Sequence, residues 1–309
     1  MKRTQLITTE DLSRAEVDFL IEEAEKMRKK GWTEDLKGRV VATLFFEPST
    51  RTRLSFESAA LRLGGRTISV ADASTTSAKK GETLADTIRV FDKLADVIVM
   101  RQPVSGATAE AAKYTEKPVI NGGDGSNQHP SQALLDMLTF HREMDQQIDG
   151  KTFAFVGDLK FGRTVHSILY LLAQYNARMI FISPKELALP QEYRELLKQK
   201  NIPFTEDTDL VKHLPDIDVL YMTRIQQERF VDPQEYQRLK GCYVLTAELV
   251  RKGKPSLRVM HPLPRIDEIT TDVDPLPQAA YFREVENGLY MRMAILKTVC
   301  RNYYASASH

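Results

Sequence analysis

Short apolar runs alternate with longer segments whose apolar positions return every three or four residues, and this alternation persists along the whole chain. The runs predict strands at Val40–Phe46, Thr67–Val70, Val97–Met100, Pro118–Ile120, Phe153–Val156, Met179–Ile182, Val219–Met222 and Leu257–Met260. Most are rich in Val and Ile without polar alternation, as expected of strands covered on both faces. Helices are predicted between them, over Thr52–Leu63, Gly81–Leu94, Gln132–Met144, Arg163–Tyr175, Gln191–Lys200 and Glu284–Tyr303. Gly64-Gly65 supplies a C-cap for the first of these. Alternating strands and helices imply parallel sheets with right-handed crossovers. The series runs twice, once up to Asn121 and again from Lys151, with no sequence repeat and no Pro/Gly/Ser linker. The fold class is therefore α/β, with two doubly wound parallel-sheet domains joined by a helix that starts after Pro130.

Ligands of such folds bind beyond the carboxyl ends of the strands. The first strand leads into Phe45-Phe46-Glu47-Pro48-Ser49-Thr50-Arg51-Thr52-Arg53, three hydroxyls and two arginines where a helix begins. Free N–H groups and the positive end of the helix dipole make that place an anion site. An ordinary Ser/Thr cap with solvated arginines is the alternative; the density of donors favours phosphate. Arg101 follows the third strand, and Asn121–Gln132 follows the fourth, with Gln128, His129 and Gln132 in or beside a glycine-rich loop. A His near a helix start can be structural or a ligand, and the sequence leaves both roles open. Gly157–His166, Thr223–Gln226 and His261-Pro262-Leu263-Pro264-Arg265 follow later strands, the last reading as a fixed turn that admits a cis X–Pro bond. Arg51, Arg53, Arg101, Arg163, Arg224 and Arg265 thus cluster at strand ends, which points to ligands with several negative charges. Ser74–Thr83 is polar and basic; its residues alone read as a surface loop ahead of a helix capped by Lys80 or Gly81.

Bulk composition narrows this picture. At 309 residues the chain suits two domains, and 42% hydrophobic with 28% charged residues is ordinary for a globular protein. A net charge of +1 gives no electrostatic footprint for nucleic acid or an acidic membrane surface, so anion recognition must be local. The least polar stretch, Ser167–Ala177, is too short to span a bilayer, and the N-terminus lacks an apolar signal core, which suggests a cytoplasmic protein. Cys242 and Cys300 have neither metal-site nor redox-pair spacing and are expected to be reduced, buried thiols. No H-E-x-x-H, Cys/His cluster, G-x-S-x-G or phosphate-loop fingerprint occurs, so neither a catalytic metal, a cofactor nor an acyl-enzyme is indicated. Catalysis by positioning two anionic reactants remains.

Six motifs together resemble the catalytic chains of aspartate carbamoyltransferases. They are Phe-Glu-Pro-Ser-Thr-Arg-Thr-Arg at 46–53, Lys-Lys-Gly-Glu-Thr-Leu-Ala-Asp at 79–86 and Gly-Asp-Gly-Ser-Asn-Gln-His-Pro at 123–130. The others are Gly-Asp-Leu-Lys-Phe-Gly-Arg-Thr-Val-His at 157–166, Met-Thr-Arg-Ile-Gln at 222–226 and His-Pro-Leu-Pro-Arg at 261–265. The resemblance implies a carbamoyl-phosphate domain of residues 1–131 and 288–309, to which the C-terminal helix returns, and an aspartate domain of residues 132–287. It implies carbamoyl transfer from carbamoyl phosphate to the amine of L-aspartate, the committed step of pyrimidine biosynthesis. Ser49, Thr50, Arg51 and Thr52 would hold the phosphate; Thr52, Arg101 and His129 the carbamoyl oxygen. Gln132 and the carbonyls of Pro262 and Leu263 would take the carbamoyl amide, and Arg163, Arg224 and Gln226 the carboxylates of aspartate. Glu47 would bridge Arg163 and Arg229 on domain closure.

The same resemblance reverses the surface-loop reading of 74–83. Ser77 and Lys80 would reach the active site of a neighbouring chain in a homotrimer, with Ser77 one residue nearer Lys80 than in some relatives. The Asp-Gly-Ser-Asn-Gln-His form is similar to members that carry regulatory chains, a further implied partner. Phe161 stands where many relatives have Tyr. An ornithine-type carbamoyltransferase is the nearest alternative, but it typically has Cys at the position of Pro262. A non-catalytic binding protein on this fold should have lost Arg51, His129 or Lys80, and all three are present.

Overall fold

The computed structural model describes residues 1–72, 81–230 and 232–307. They divide into two compact units, one of residues 1–138 and 285–309, the other of residues 139–284.

The first unit holds four strands, β1 (Val40–Phe45), β2 (Arg66–Val70), β3 (Val97–Gln102) and β4 (Val119–Asp124), all parallel in the order β2-β1-β3-β4. Its helices are α1 (Arg14–Lys30), α2 (Thr50–Arg62), α3 (Leu84–Leu94), α4 (Ala107–Ala111) and the start of α5 (Pro130–Glu143). In the second unit, α6 (Arg163–Leu172), α7 (Gln191–Gln199), α8 (Leu210–His213), α9 (Pro233–Leu239) and α10 (Ala247–Val250) accompany five strands. These are β5 (Thr152–Val156), β6 (Arg178–Ile182), β7 (Phe204–Asp207), β8 (Val219–Met222) and β9 (Arg258–Met260), again all parallel, in the order β7-β6-β5-β8-β9. Finally α11 (Tyr281–Ala307) begins in the second unit and returns the chain to the first.

The apolar runs become the central strands because both faces are covered. Val41, Ala42, Leu44 and Phe45 are fully buried, and each large side chain among them contributes about 1.5–3 kcal/mol by leaving water. Ala42, Leu44, Ile98, Met100 and Val119 pack with Ile88 and Ala111 in one core; Ala154, Val156, Ile180, Leu220, Met222 and Val259 pack with Leu210, Leu214 and Val250 in the other. All eight expected strands form. The ninth, β7, is an edge strand with the sequence Phe-Thr-Glu-Asp, half-buried and polar, so no apolar run marks it.

Helix boundaries shift where caps decide them. A capping box between Ser13 and Glu16 starts α1, a helix outside those predicted. Thr83, not Gly81 or Lys80, caps α3, accepting from the Asp86 N–H at 3.1 Å. Pro130 occupies the first position of α5, where its missing N–H costs nothing. The N-terminal segment also adds to the first sheet: Leu6 N–H donates to Val119 O at 2.9 Å, and Asn121 N–H to Leu6 O at 2.8 Å. Cys300 is buried as expected, but Cys242 is exposed, because it follows α9 at the surface and not a core strand.

Candidate functional site

In the first unit the β1–α2 turn lies at the carboxyl end of the sheet, where β1 gives way to the N-terminus of α2. Phe46 N–H donates to Arg101 O at 2.9 Å, so the ends of β1 and β3 stay side by side and carry Glu47 and Arg101 together. The guanidinium of Arg101 lies 3.4 Å from Glu47 Oε1 and donates to Gly122 O at 3.4 Å. Ser49 is the N-cap of α2, yet its hydroxyl makes no capping bond, and the first turn holds no acidic residue. The ordinary-cap reading therefore fails here: the N-terminal N–H groups are not consumed by the residue that normally takes them. Ser49 is half-buried, Thr50 and Arg51 are exposed, and Thr52 is buried against the fold.

Arg53 departs from the ligand set. Its Nη1 donates to Glu57 Oε1 at 2.9 Å, one helical turn on, within a network that includes Thr43 and Ser69. It braces α2 against β1 and β2.

The β4–α5 loop is organised around a buried carboxylate. Asp124 accepts from Asn121 Nδ2 at 2.9 Å, Gln128 N at 3.1 Å, Asn127 Nδ2 at 3.0 Å and Gly106 N at 2.8 Å. Gly125 runs at φ +54°, and a Cβ there would sit 2.6 Å from Ser105 Oγ. This loop delivers His129, 4% exposed, whose carbonyl accepts from Gln132 N–H and Ala133 N–H at the head of α5. Gln132 donates Nε2 to Asp136 at 2.9 Å, which makes its Oε1 the acceptor end of the amide. Sequence reasoning did not single out Asp124. Its one signal was its place between two glycines.

In the second unit two loops are tied together. Asp158, fully buried after β5, accepts from Phe161 N–H at 2.9 Å, and Gln226 Nε2 donates to Phe161 O at 3.3 Å. Burial pushes the Asp158 carboxyl up to about 6, against backbone donors from Phe161, Gln226 and Lys160 and the charge of Arg229. Thr223 Oγ1 donates to Val156 O at 2.9 Å, and Gly157, at φ +116°, has no room for a Cβ against Thr223. The bonds bring the segment carrying Arg163, at the N-terminus of α6, against the one carrying Arg224, Gln226 and Arg229. Arg224 lines a narrow crevice with Thr223, Tyr236, Lys240, Tyr243 and Glu268. Phe161 packs edge-on to Phe230, centroids 6.2 Å apart.

The turn after β9 holds a cis Leu263–Pro264 bond, with Leu263 at φ +53°. Arg265 leaves the ligand set as Arg53 does, donating to both carboxylate oxygens of Asp274 and to Tyr281 Oη at 3.1 Å. Ser77 and Lys80 lie outside the described residues. Among the described residues no cluster of His, Cys, Asp or Glu could hold a metal ion, and no helix is long and apolar enough to cross a membrane.

Two family models match the chain. The aspartate/ornithine carbamoyltransferase carbamoyl-P binding domain matches residues 4–142, and the Asp/Orn binding domain of the same family residues 149–299. The chain belongs to the aspartate/ornithine carbamoyltransferase family. Among similar carbamoyltransferases is the aspartate carbamoyltransferase catalytic subunit of Chromobacterium violaceum, 48% identical over 97% of this chain and 98% of that one. That of Methanocaldococcus jannaschii is 52% identical over 94% and 96%. The solved catalytic subunit from M. jannaschii superimposes with a TM-score of 0.89 at 50% identity, covering 96% of this chain and 98% of its own. Aspartate transcarbamoylase from Trypanosoma cruzi, solved with carbamoyl phosphate and aspartate, gives 0.91 at 41% identity, covering 95% and 96%. Of the six strand-end arginines, Arg53 and Arg265 are held by the carboxylates of Glu57 and Asp274.

Proposed function

We propose that this chain is an aspartate carbamoyltransferase, transferring the carbamoyl group of carbamoyl phosphate to L-aspartate to give N-carbamoyl-L-aspartate and phosphate in pyrimidine biosynthesis. The observation that carries the reading is the β1–α2 turn, a helix N-terminus whose cap hydroxyl is not engaged, beside Arg51 and two further hydroxyls. Ser49, Thr50, Arg51 and Thr52 bind the phosphate, with Ser77 and Lys80 from a neighbouring chain of a cytoplasmic homotrimer. Thr52, Arg101 and His129 hold the carbamoyl oxygen as it gains charge; one such donor is worth about 10²–10³ in rate. The Gln132 Oε1 and the carbonyls of Pro262 and Leu263 accept from the carbamoyl amide.

Arg163, Arg224, Gln226 and Lys80 hold the carboxylates of aspartate, whose amine attacks the carbamoyl carbon. The tetrahedral adduct collapses with phosphate as leaving group, and the phosphate takes the amine's proton, so no side chain need act as general base. Glu47 and Arg229 serve domain closure. Two carboxylate-directed arginines with Gln226 favour aspartate over ornithine, whose side chain is cationic. Colorimetric carbamoyl-transfer assays with each acceptor test this: carbamoyl-aspartate is expected, and turnover of ornithine alone overturns the reading.

A further inference from the structure

The turn after β9 contains a histidine that the reaction as described does not use. His261 is 1% exposed and sits between two kinds of partner. Its Nδ1 accepts the Leu263 N–H at 2.8 Å, and its Nε2 lies 2.6 Å from Glu268 Oε1. A ring nitrogen that accepts a hydrogen bond carries no proton, so the proton is on Nε2 and is donated to the carboxylate. Glu268, itself 5% exposed, is held in turn by the N–H groups of Ile266 and Asp267, both at 3.2 Å on Oε2. Burial pushes the Glu268 carboxyl up, but its hydrogen bonds to His261 and to backbone donors outweigh it, and its pKa lies below the usual carboxylate range. The His261 N–H donates to Glu284 Oε2 at 3.3 Å, which anchors the start of the turn to α11.

What the imidazole holds is an unfavourable backbone. Leu263 has φ +53°, a left-handed conformation that L-residues with a side chain avoid. A side-chain acceptor two residues upstream, locked by its own carboxylate, is the local device that keeps it there.

We propose that His261, as the Nε2–H tautomer fixed by Glu268, is a positioning residue for the carbamoyl subsite, holding the Leu263 N–H and so directing the Pro262 and Leu263 carbonyls. The inference rests on the assignment of those carbonyls to the carbamoyl amide. Its action is through the backbone, without contact to substrate.

The test compares His261→Asn with His261→Leu. An asparagine Oδ1 can take the place of Nδ1 and accept the same N–H; leucine fills the space and accepts nothing. The Leu variant is expected to raise KM for carbamoyl phosphate about tenfold, the effect of one lost orienting hydrogen bond. The Asn variant should recover most of that rise, although both lose the Glu268 bond and both should melt earlier. Equal KM values in the two variants overturn the proposal, since a merely structural role would not separate them. In the unsubstituted protein, nitrogen-15 NMR of labelled histidine reads the tautomer directly, and a protonated Nδ1 at His261 overturns it even if neither variant folds. A wild-type chain that makes no carbamoyl-aspartate would instead sink the functional reading, with the tautomer still decided.

Discussion

Asp158 offers a direct measurement of what the second unit's loops cost. Its carboxyl is fully buried between the segments of Phe161 and Gln226, and burial raises it from 3.8 to about 6. In the unfolded chain it releases its proton near 3.8; in the folded chain it keeps it until about 6. Between those values the folded state binds more protons, so stability is lost as pH rises through the window and then levels off. Roughly two pKa units at 1.36 kcal/mol each make the full penalty about 3 kcal/mol. About 2 kcal/mol of this falls between pH 4.5 and 7.5, where the enzyme can be handled. Asp158→Asn removes the titration and keeps one acceptor for the Phe161 N–H. Urea unfolding of both proteins at the two pH values gives the double difference, in which every other titrating group cancels. The wild type should lose about 2 kcal/mol more than the variant on going from pH 4.5 to 7.5. A double difference of zero, or of opposite sign, would refute the reasoning and show that the backbone donors and Arg229 already stabilise the carboxylate.

The arginines separate by partner. Arg51→Ala should reduce kcat/KM by about 10² or more with little change in unfolding midpoint, whereas Arg53→Ala, which frees Glu57, should do the reverse; steady-state kinetics beside thermal melts decide. Arg265→Ala leaves Asp274 and the Tyr281 hydroxyl without their cation and should cost about 2 kcal/mol, discounted somewhat by solvent, with KM for aspartate unchanged. Arg51→Ala and Lys80→Ala chains, each inactive, should regain partial activity when refolded together, because mixed trimers contain some intact shared sites. Absence of recovery in hybrids shown to form would mean that one chain builds each site.

Much of the fold was legible because its strands are apolar runs, and the candidate segments follow them directly. The β1–α2 turn, the His129 loop and the 157–166 and 222–226 motifs all could be found by stepping off the end of a Val- and Ile-rich run. The misreadings share one cause, a partner too distant or too ordinary to notice. Arg265 looked like a ligand because Asp274 lies nine residues on, beyond any helical spacing. Arg53 looked like one although Glu57 stands at i+4, since the motif around it drew attention to phosphate. β7 carries no apolar run, and Cys242 was assigned to the core by residue type and not by its surroundings. His261 and Glu268 were in view as sequence, but a tautomer locked between a backbone N–H and a carboxylate is a property of folded geometry.

The first unit is not continuous in the chain, since it needs residues 285–309 to complete what residues 1–138 begin. Met291, Met293, Ala294, Ile295, Leu296 and Val299 of α11 are buried there almost completely. During synthesis, a ribosome adding about 5–20 residues per second takes roughly 7–30 s to traverse residues 139–284. Over that interval the nascent first unit presents to solvent the apolar surface that α11 will cover, while the second unit, contiguous in the chain, can finish folding first. Assembly on the ribosome can thus finish in the reverse of the order in which the units begin, with the early half waiting for its last helix.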